Sequence, residues 1–132
     1  LVPVTQLKMV MHYVHSTEGL YFDLLSNLTV VDNGPQKGTM EVLYHLYSIP
    51  LEQHLILKVE LTRSDTAMSA PTVSDIWKTA LWHEREAFDF FGIHFEGHPD
   101  MRRILLPADW QGYPLRKDYK EQEYYHGIKV AY

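Results

Sequence analysis

Between Trp82 and Tyr119 the chain reads WHEREAFDFFGIHFEGHPDMRRILLPADWQGYPLRKDY, and no other stretch is so dense in charged and aromatic residues together. Its carboxylates Glu84, Glu86 and Asp89 could supply the acid/base pair of a glycosidase, which needs two such groups facing one substrate. Arg85 stands between the two glutamates, however, and no substrate loop adjoins them, so ion pairing is the better use of these charges. His83-Glu84 opens like the zinc-protease pattern H-E-x-x-H, but the fifth residue is Ala87 and the second ligand is missing. His94 and His98 have the spacing of helical metal ligands, yet Gly97 and Pro99 break that helix. Hydrogen-bonded structural histidines are therefore expected, and no metal site.

Other chemistries lack their parts. Neither G-x-G-x-x-G nor a Walker loop occurs, so NAD or another nucleotide is not expected on this chain. Serine nucleophile elbows are missing too. With no cysteine, disulfides, thiolate zinc sites and the usual cysteine-ligated iron–sulfur clusters are excluded. The net charge of −5 and a pI near 5.9 argue against nucleic acid, which asks for a basic face. Residues 1–100 hold 6 basic and 13 acidic side chains, whereas residues 101–132 hold 6 basic and 4 acidic. A basic tail on an acidic body points to a protein partner.

The elements that must position these groups can be read from hydrophobic period. At 132 residues and 45% hydrophobic, the chain suits one domain with one core. No apolar run approaches the roughly 18 residues of a membrane span. The opening Leu1-Val2-Pro3-Val4 lacks the layout of a signal peptide, so a soluble, intracellular chain is expected. The sequon Asn27-Leu28-Thr29 then has no secretory context. Leu7, Val10, Met11 and Val14 predict an amphipathic helix over Thr5 to His15, with His12 and His15 on its surface. Leu28 to Val31 reads as a strand, and Asp32-Asn33-Gly34-Pro35 as a turn. Met40 to Ser48 is apolar on both faces, which suits a strand covered twice or paired centrally. His54 to Leu61 alternates, with Ile56 as the exception on its polar face.

Residues Arg63 to Pro71 read as a polar loop, and Thr72 with Asp75 as a capping-box-like start of a second helix near Val73. Its stripe Val73, Ile76, Trp77, Ala80 and Leu81 meets Glu84 before Phe88 and Phe91, so Glu84 is predicted to point into protein. A lone buried carboxylate is costly, and the arginines downstream are the candidates to serve it. Arg85 reaches Asp89 at i, i+4, and Gly92 ends the helix. Glycines and prolines then impose an extended arm, with one helical turn at Pro107 to Gly112. Its Trp110, Tyr113, Tyr119, Tyr124 and Tyr125 beside arginines have the composition of an interface. The expected fold class is α+β: two layers, a mixed or antiparallel sheet flanked by helices, and an extended C-terminal arm. The body spans residues 1–93 and the docking arm residues 94–132.

The order Glu84-Arg85-Glu86, Asp89-Phe90-Phe91, His98, Arg102-Arg103-Ile104-Leu105 resembles the signature of the 30-kilodalton subunit family of respiratory complex I, which includes the C subunit of bacterial NADH:quinone oxidoreductase. Gly112-Tyr113-Pro114-Leu115-Arg116-Lys117-Asp118-Tyr119 is similar to that family's second block. The resemblance implies a structural and assembly subunit of the peripheral arm, bridging the cluster-bearing and quinone-site subunits. It implies a place at the cytoplasmic side of the inner membrane, touching the membrane only through the complex. FMN, iron–sulfur clusters and quinone would lie on other subunits, with no cofactor, metal or catalytic residue on this chain. Its signature residues carry over to Glu84, Glu86, Asp89, His98, Arg102 and Arg103, and to Arg116, Lys117 and Asp118, as partner-docking positions. The alternatives are the equivalent subunit of a ferredoxin-fed complex or a membrane-bound hydrogenase, and a hydrolase using Glu84, Glu86 and Asp89. Of Arg102 and Arg103, one is expected to neutralise Glu84 and the other to face a partner.

Overall fold

The computed structural model describes residues 1–17, 19–34, 36–63, 68–107, 110, 112–117, 124–125 and 128–129. A 3-10 turn at Val4–Gln6 leads into helix α1 (Leu7–Ser16), which buries Leu7, Met11 and Val14 along the expected stripe. His12 is exposed, but His15 is half-buried and packs edge-on to Trp77 at 5.6 Å. The surface assignment holds for His12 and in part for His15, whose ring finds an aromatic neighbour that tertiary packing supplies.

Strands β1 (Leu24–Asp32), β2 (Thr39–Ser48) and β3 (Gln53–Thr62) form an antiparallel meander in the order β1-β2-β3. The two-faced apolar β2 is the central strand. Met40, Val42, Tyr44, Leu46 and Ser48 are buried on its inner face, while Glu41, Leu43, His45 and Tyr47 share the outer one. On β3 the alternation holds, and Ile56 stands 55% exposed on the outer face. A bulge between Leu25 and Asn27 shifts the β1 register, so that Leu28 and Val30 lie opposite Tyr44 and Val42 on the inner side. Ahead of α1, the Val2 amide donates to Lys58 O at 2.8 Å along the β3 edge.

Two elements depart from the expected reading. Residues 69–71 form β4 (Ser69–Pro71), which pairs in parallel with β5 (His94–Glu96). A three-residue strand carries too little period to stand out in a sequence. Helix α2 runs Ala80–Phe91, starting seven residues after Val73. Thr72 does cap a turn there, its hydroxyl oxygen accepting from the Ser74 amide at 3.1 Å while its proton goes to Glu84, but the turn closes at Trp77 and the continuous helix starts only at Ala80. A two-residue antiparallel ladder, β6 (Tyr124–Tyr125) with β7 (Ile128–Lys129), follows in the C-terminal region. Among the described residues no helix is long and apolar enough to cross a membrane. The helical turn expected at residues 107–112 falls partly outside the described residues, as does Tyr119.

The core is continuous from α1 through the inner sheet face to Trp77, Ala80 and Ala87, and onward to Ile93 and Phe95 beyond α2. Gly92 joins these regions with φ +79, a left-handed cap whose amide donates to Phe88 O. A Cβ there would lie 2.7 Å from the Tyr113 ring and 2.9 Å from the Arg116 guanidinium. Gly92→Ala should therefore cost about 2–4 kcal/mol, combining left-handed strain with overpacking. Gly19→Ala has a similar φ of +88 with nothing within 4 Å, and should cost only about 1–2 kcal/mol. Thermal or denaturant melting checks the pair, and equal losses would contradict the packing part.

Candidate functional site

An α-helix leaves its last four carbonyls without helical partners, and α2 meets that demand with the arm that follows it. Phe88 O accepts from the Gly92 amide, and Asp89 O accepts from Arg103 Nη1 at 3.3 Å. Phe90 O accepts from the Leu115 amide at 3.1 Å, and Phe91 O from Arg116 Nε at 2.6 Å. The second sequence block thus docks on the end of the first. Arg103 and Arg116 both stack at 5.1 Å on the Tyr113 ring, which fixes the two guanidinium groups against one surface.

Asp89 is fully buried and satisfied from the arm as well. Its Oδ1 accepts from Arg103 Nη1 at 3.2 Å, and its Oδ2 from the amides of Ile104, Leu105 and Leu106 at 3.3, 2.8 and 3.0 Å. Arg85 does not pair with Asp89 at i, i+4. It donates to the carbonyls of Arg102 and Arg103, both at 3.0 Å, and lies over the Trp82 ring. His98 accepts from the Asp100 amide on Nδ1 and donates from Nε2 to Leu81 O at 3.0 Å, which fixes a neutral tautomer with the proton on Nε2. The histidine is a brace between arm and helix. Among the described residues no group of three or more metal-ligating side chains occurs, and His94 packs against Phe88 away from such a role.

Glu84 corrects the expectation about arginine. It is fully buried, but its donors are the Thr72 hydroxyl at 2.6 Å and the Val73 amide at 3.1 Å. Arg103 serves Asp89 instead, and Arg102 pairs with Asp100 in the open, its side chain 74% exposed. The two carboxylates lie five positions apart on α2, and only the second faces the arm. Burial pushes the Glu84 carboxyl up to about 7, against the pull of Thr72 and Val73; the nearby Asp75 adds to the rise and Lys8 opposes it. Tyr44 lies within range of the same charge, its phenol raised by burial first and by Glu84 second.

Two groups outside the signature prove essential to the site. Asp32, at the end of β1, receives Arg63 Nε at 3.0 Å and Nη2 at 3.2 Å, the Gly34 amide, and the Lys117 amide at 2.8 Å. It clamps β1, the chain just past β3 and the second block together. The turn signal at Asp32-Asn33-Gly34 marks the position, but nothing local announces the distant donors. Thr72 is the other, read from sequence as a cap. Of the remaining signature residues, Glu86 is exposed and makes no hydrogen bond or ion pair among the described residues. Lys117 contributes its backbone, and Asp118 lies outside the described residues.

These partners give the two arginines different weights. Arg103→Ala removes the cation from a buried pair and should cost on the order of 3–5 kcal/mol. Arg102→Ala should leave the melting temperature unchanged, and equal losses in the two variants would contradict the assignment. For Glu84, the folded chain holds the proton up to about pH 7, whereas an unfolded glutamate releases it near 4.5. The sign follows: its stabilising contribution is complete below about pH 4.5 and is lost as pH rises through 7, by about 3 kcal/mol. Glu84→Gln should flatten that decline in denaturant unfolding measured from pH 4.5 to 8.

Comparison with known proteins identifies the relatives of this chain. The sequence profile of the family described as "Respiratory-chain NADH dehydrogenase, 30 Kd subunit" matches residues 1–125. The C subunit of the NADH-quinone oxidoreductase of Chloroherpeton thalassium is 52% identical over 121 residues, 91% of this chain but 49% of that protein. The chain thus spans about half the length of that relative. The C/D subunit of the NADH-quinone oxidoreductase of Acinetobacter baylyi is 47% identical over 103 residues, 76% of this chain and 17% of that one. A chain of the membrane-bound sulfane sulfur reductase, an archaeal respiratory membrane complex, superposes with a TM-score of 0.79 at 32% identity, covering 90% of this chain and 69% of that chain. With its signature, its fold and its profile in agreement, the chain belongs to the 30-kilodalton subunit family of the respiratory-chain NADH dehydrogenase.

Proposed function

We propose that the chain is a structural and assembly subunit of the peripheral arm of a NADH:quinone oxidoreductase, bridging the cluster-bearing and quinone-site subunits at the cytoplasmic side of the membrane. In this reading it holds no cofactor and reaches the membrane only through its partners. The observation that carries it is the commitment of the signature groups: Glu84, Asp89, His98, Arg103 and Arg116 are all held by backbone or buried partners of their own domain. Groups so engaged hold the arm on the domain and so shape the surface that the arm presents. Glu86 and Arg102 stay outward for docking. The Acinetobacter relative, named C/D, supports the D subunit as a partner, since one polypeptide there carries both names.

A second reading keeps the role and changes the complex. The likeness to a chain of the archaeal membrane-bound sulfane sulfur reductase favours a related membrane-bound respiratory assembly. A ferredoxin-fed complex or a membrane-bound hydrogenase is the form this reading takes. An affinity-tagged full-length chain purified from its own host decides between them. The first reading expects a co-purified complex that contains flavin and iron–sulfur clusters and oxidises NADH; the second expects oxidation of reduced ferredoxin instead. Separated from its partners, the chain should be colourless and inert toward NADH. Stoichiometric zinc or a flavin spectrum on the separated chain would overturn the cofactor-free role.

A further inference from the structure

A groove of about 230 Å³ runs between β1 and α2. Asn27, Leu28, Thr29 and Val30 line it in unbroken succession. Alternate strand residues face opposite sides of a sheet, so four consecutive ones border one groove only where it follows the strand's edge. Past Leu25, whose carbonyl accepts from the Thr79 hydroxyl just ahead of α2, that edge carries no strand among the described residues: β1 is terminal in the β1-β2-β3 order. The Leu28 amide donates to Oδ1 of its neighbour Asn27 at 2.9 Å, a side-chain oxygen standing in for the carbonyl of a further strand. By the two-residue period the Val30 amide points the same way.

The opposite wall is apolar with one charge. Ala87, Phe90, Phe91 and Leu115 form it, and Glu86 stands among them as an exposed carboxylate with no hydrogen bond or ion pair among the described residues. An acidic group beside an apolar, hydrogen-bonding slot selects its occupant by charge. A second copy of this chain would bring another Glu86 to the same seam, which like-charge repulsion opposes.

We propose that this groove takes an extended segment of a partner subunit as an added strand on β1. Its backbone bonds Leu28 and Val30, displacing the Asn27 side chain. Its apolar side chains lie against Phe90 and Leu115, and a lysine or arginine meets Glu86. The inference rests on the complex-subunit reading above, which it deepens by naming the surface and the chemistry of the segment.

Hydrogen exchange on the assembled complex tests it, beside the free full-length subunit. Amide exchange at Leu28 and Val30 should slow by at least about tenfold on assembly. Glu86→Arg should lower recovery of the complex by about tenfold while leaving the melting temperature of the free subunit unchanged. Co-purification with Leu28 and Val30 exchanging as fast as in the free subunit overturns the added strand and leaves the subunit reading intact. Full recovery with Glu86→Arg overturns the basic contact. Failure to co-purify with any cluster-bearing subunit overturns both readings.

Discussion

A carboxylate in the last turn of a helix faces the negative end of the macrodipole, and Asp89 occupies that position with no exposure to solvent. The arm is the compensation. Three successive amides at residues 104–106 and one guanidinium converge on the two oxygens, and two arginines supply positive charge where the helix end is most negative. Because the same arm also satisfies the exposed carbonyls of α2, neither partner is complete alone. A helix without the arm would keep a buried, unmatched charge, and an arm without Asp89 would lose the group that orders its turn.

Asp32 applies the same principle across the sheet. Burial by itself would raise its pKa, but the Arg63 hydrogen bonds, the Lys117 and Gly34 amides and the Arg63 charge together hold it at about 2. Its stabilising contribution is therefore present above the ordinary value of 3.8 and is lost as pH falls toward 2. Glu84 carries the opposite sign, because the donors that reach its oxygens are neutral. A guanidinium sits on one carboxylate, whereas the other receives a hydroxyl and an amide.

The parts of this fold legible in the sequence are those fixed by local pattern. The stripe of α1, the alternation of β3 and the glycine stop of α2 each follow from side-chain period or backbone freedom. The inward aim of Glu84 is equally legible, since it falls in the apolar stripe. Its partner is not, because Thr72 presents the same residue type whether it only caps a turn or also gives its hydroxyl proton to a distant carboxylate. The exchange of partners, Arg103 to Asp89 and Thr72 to Glu84, is decided by which face of α2 the arm crosses, a tertiary fact without a local signature. The same holds for Asp32, whose four donors come from three separate parts of the chain.

The Lys117 amide that completes the shell of Asp32 lies 85 residues away in sequence. During synthesis from the amino end, Asp32 can meet Arg63 once the meander has emerged, but its last donor does not exist until residue 117 has been translated. Closing the loop from Asp32 to Lys117 costs more chain entropy than closing the one to Arg63, 31 residues away. A nascent chain that stalls before Lys117 keeps an under-bonded anion at the β1 end, and this gives the growing polypeptide a local mark of incompleteness.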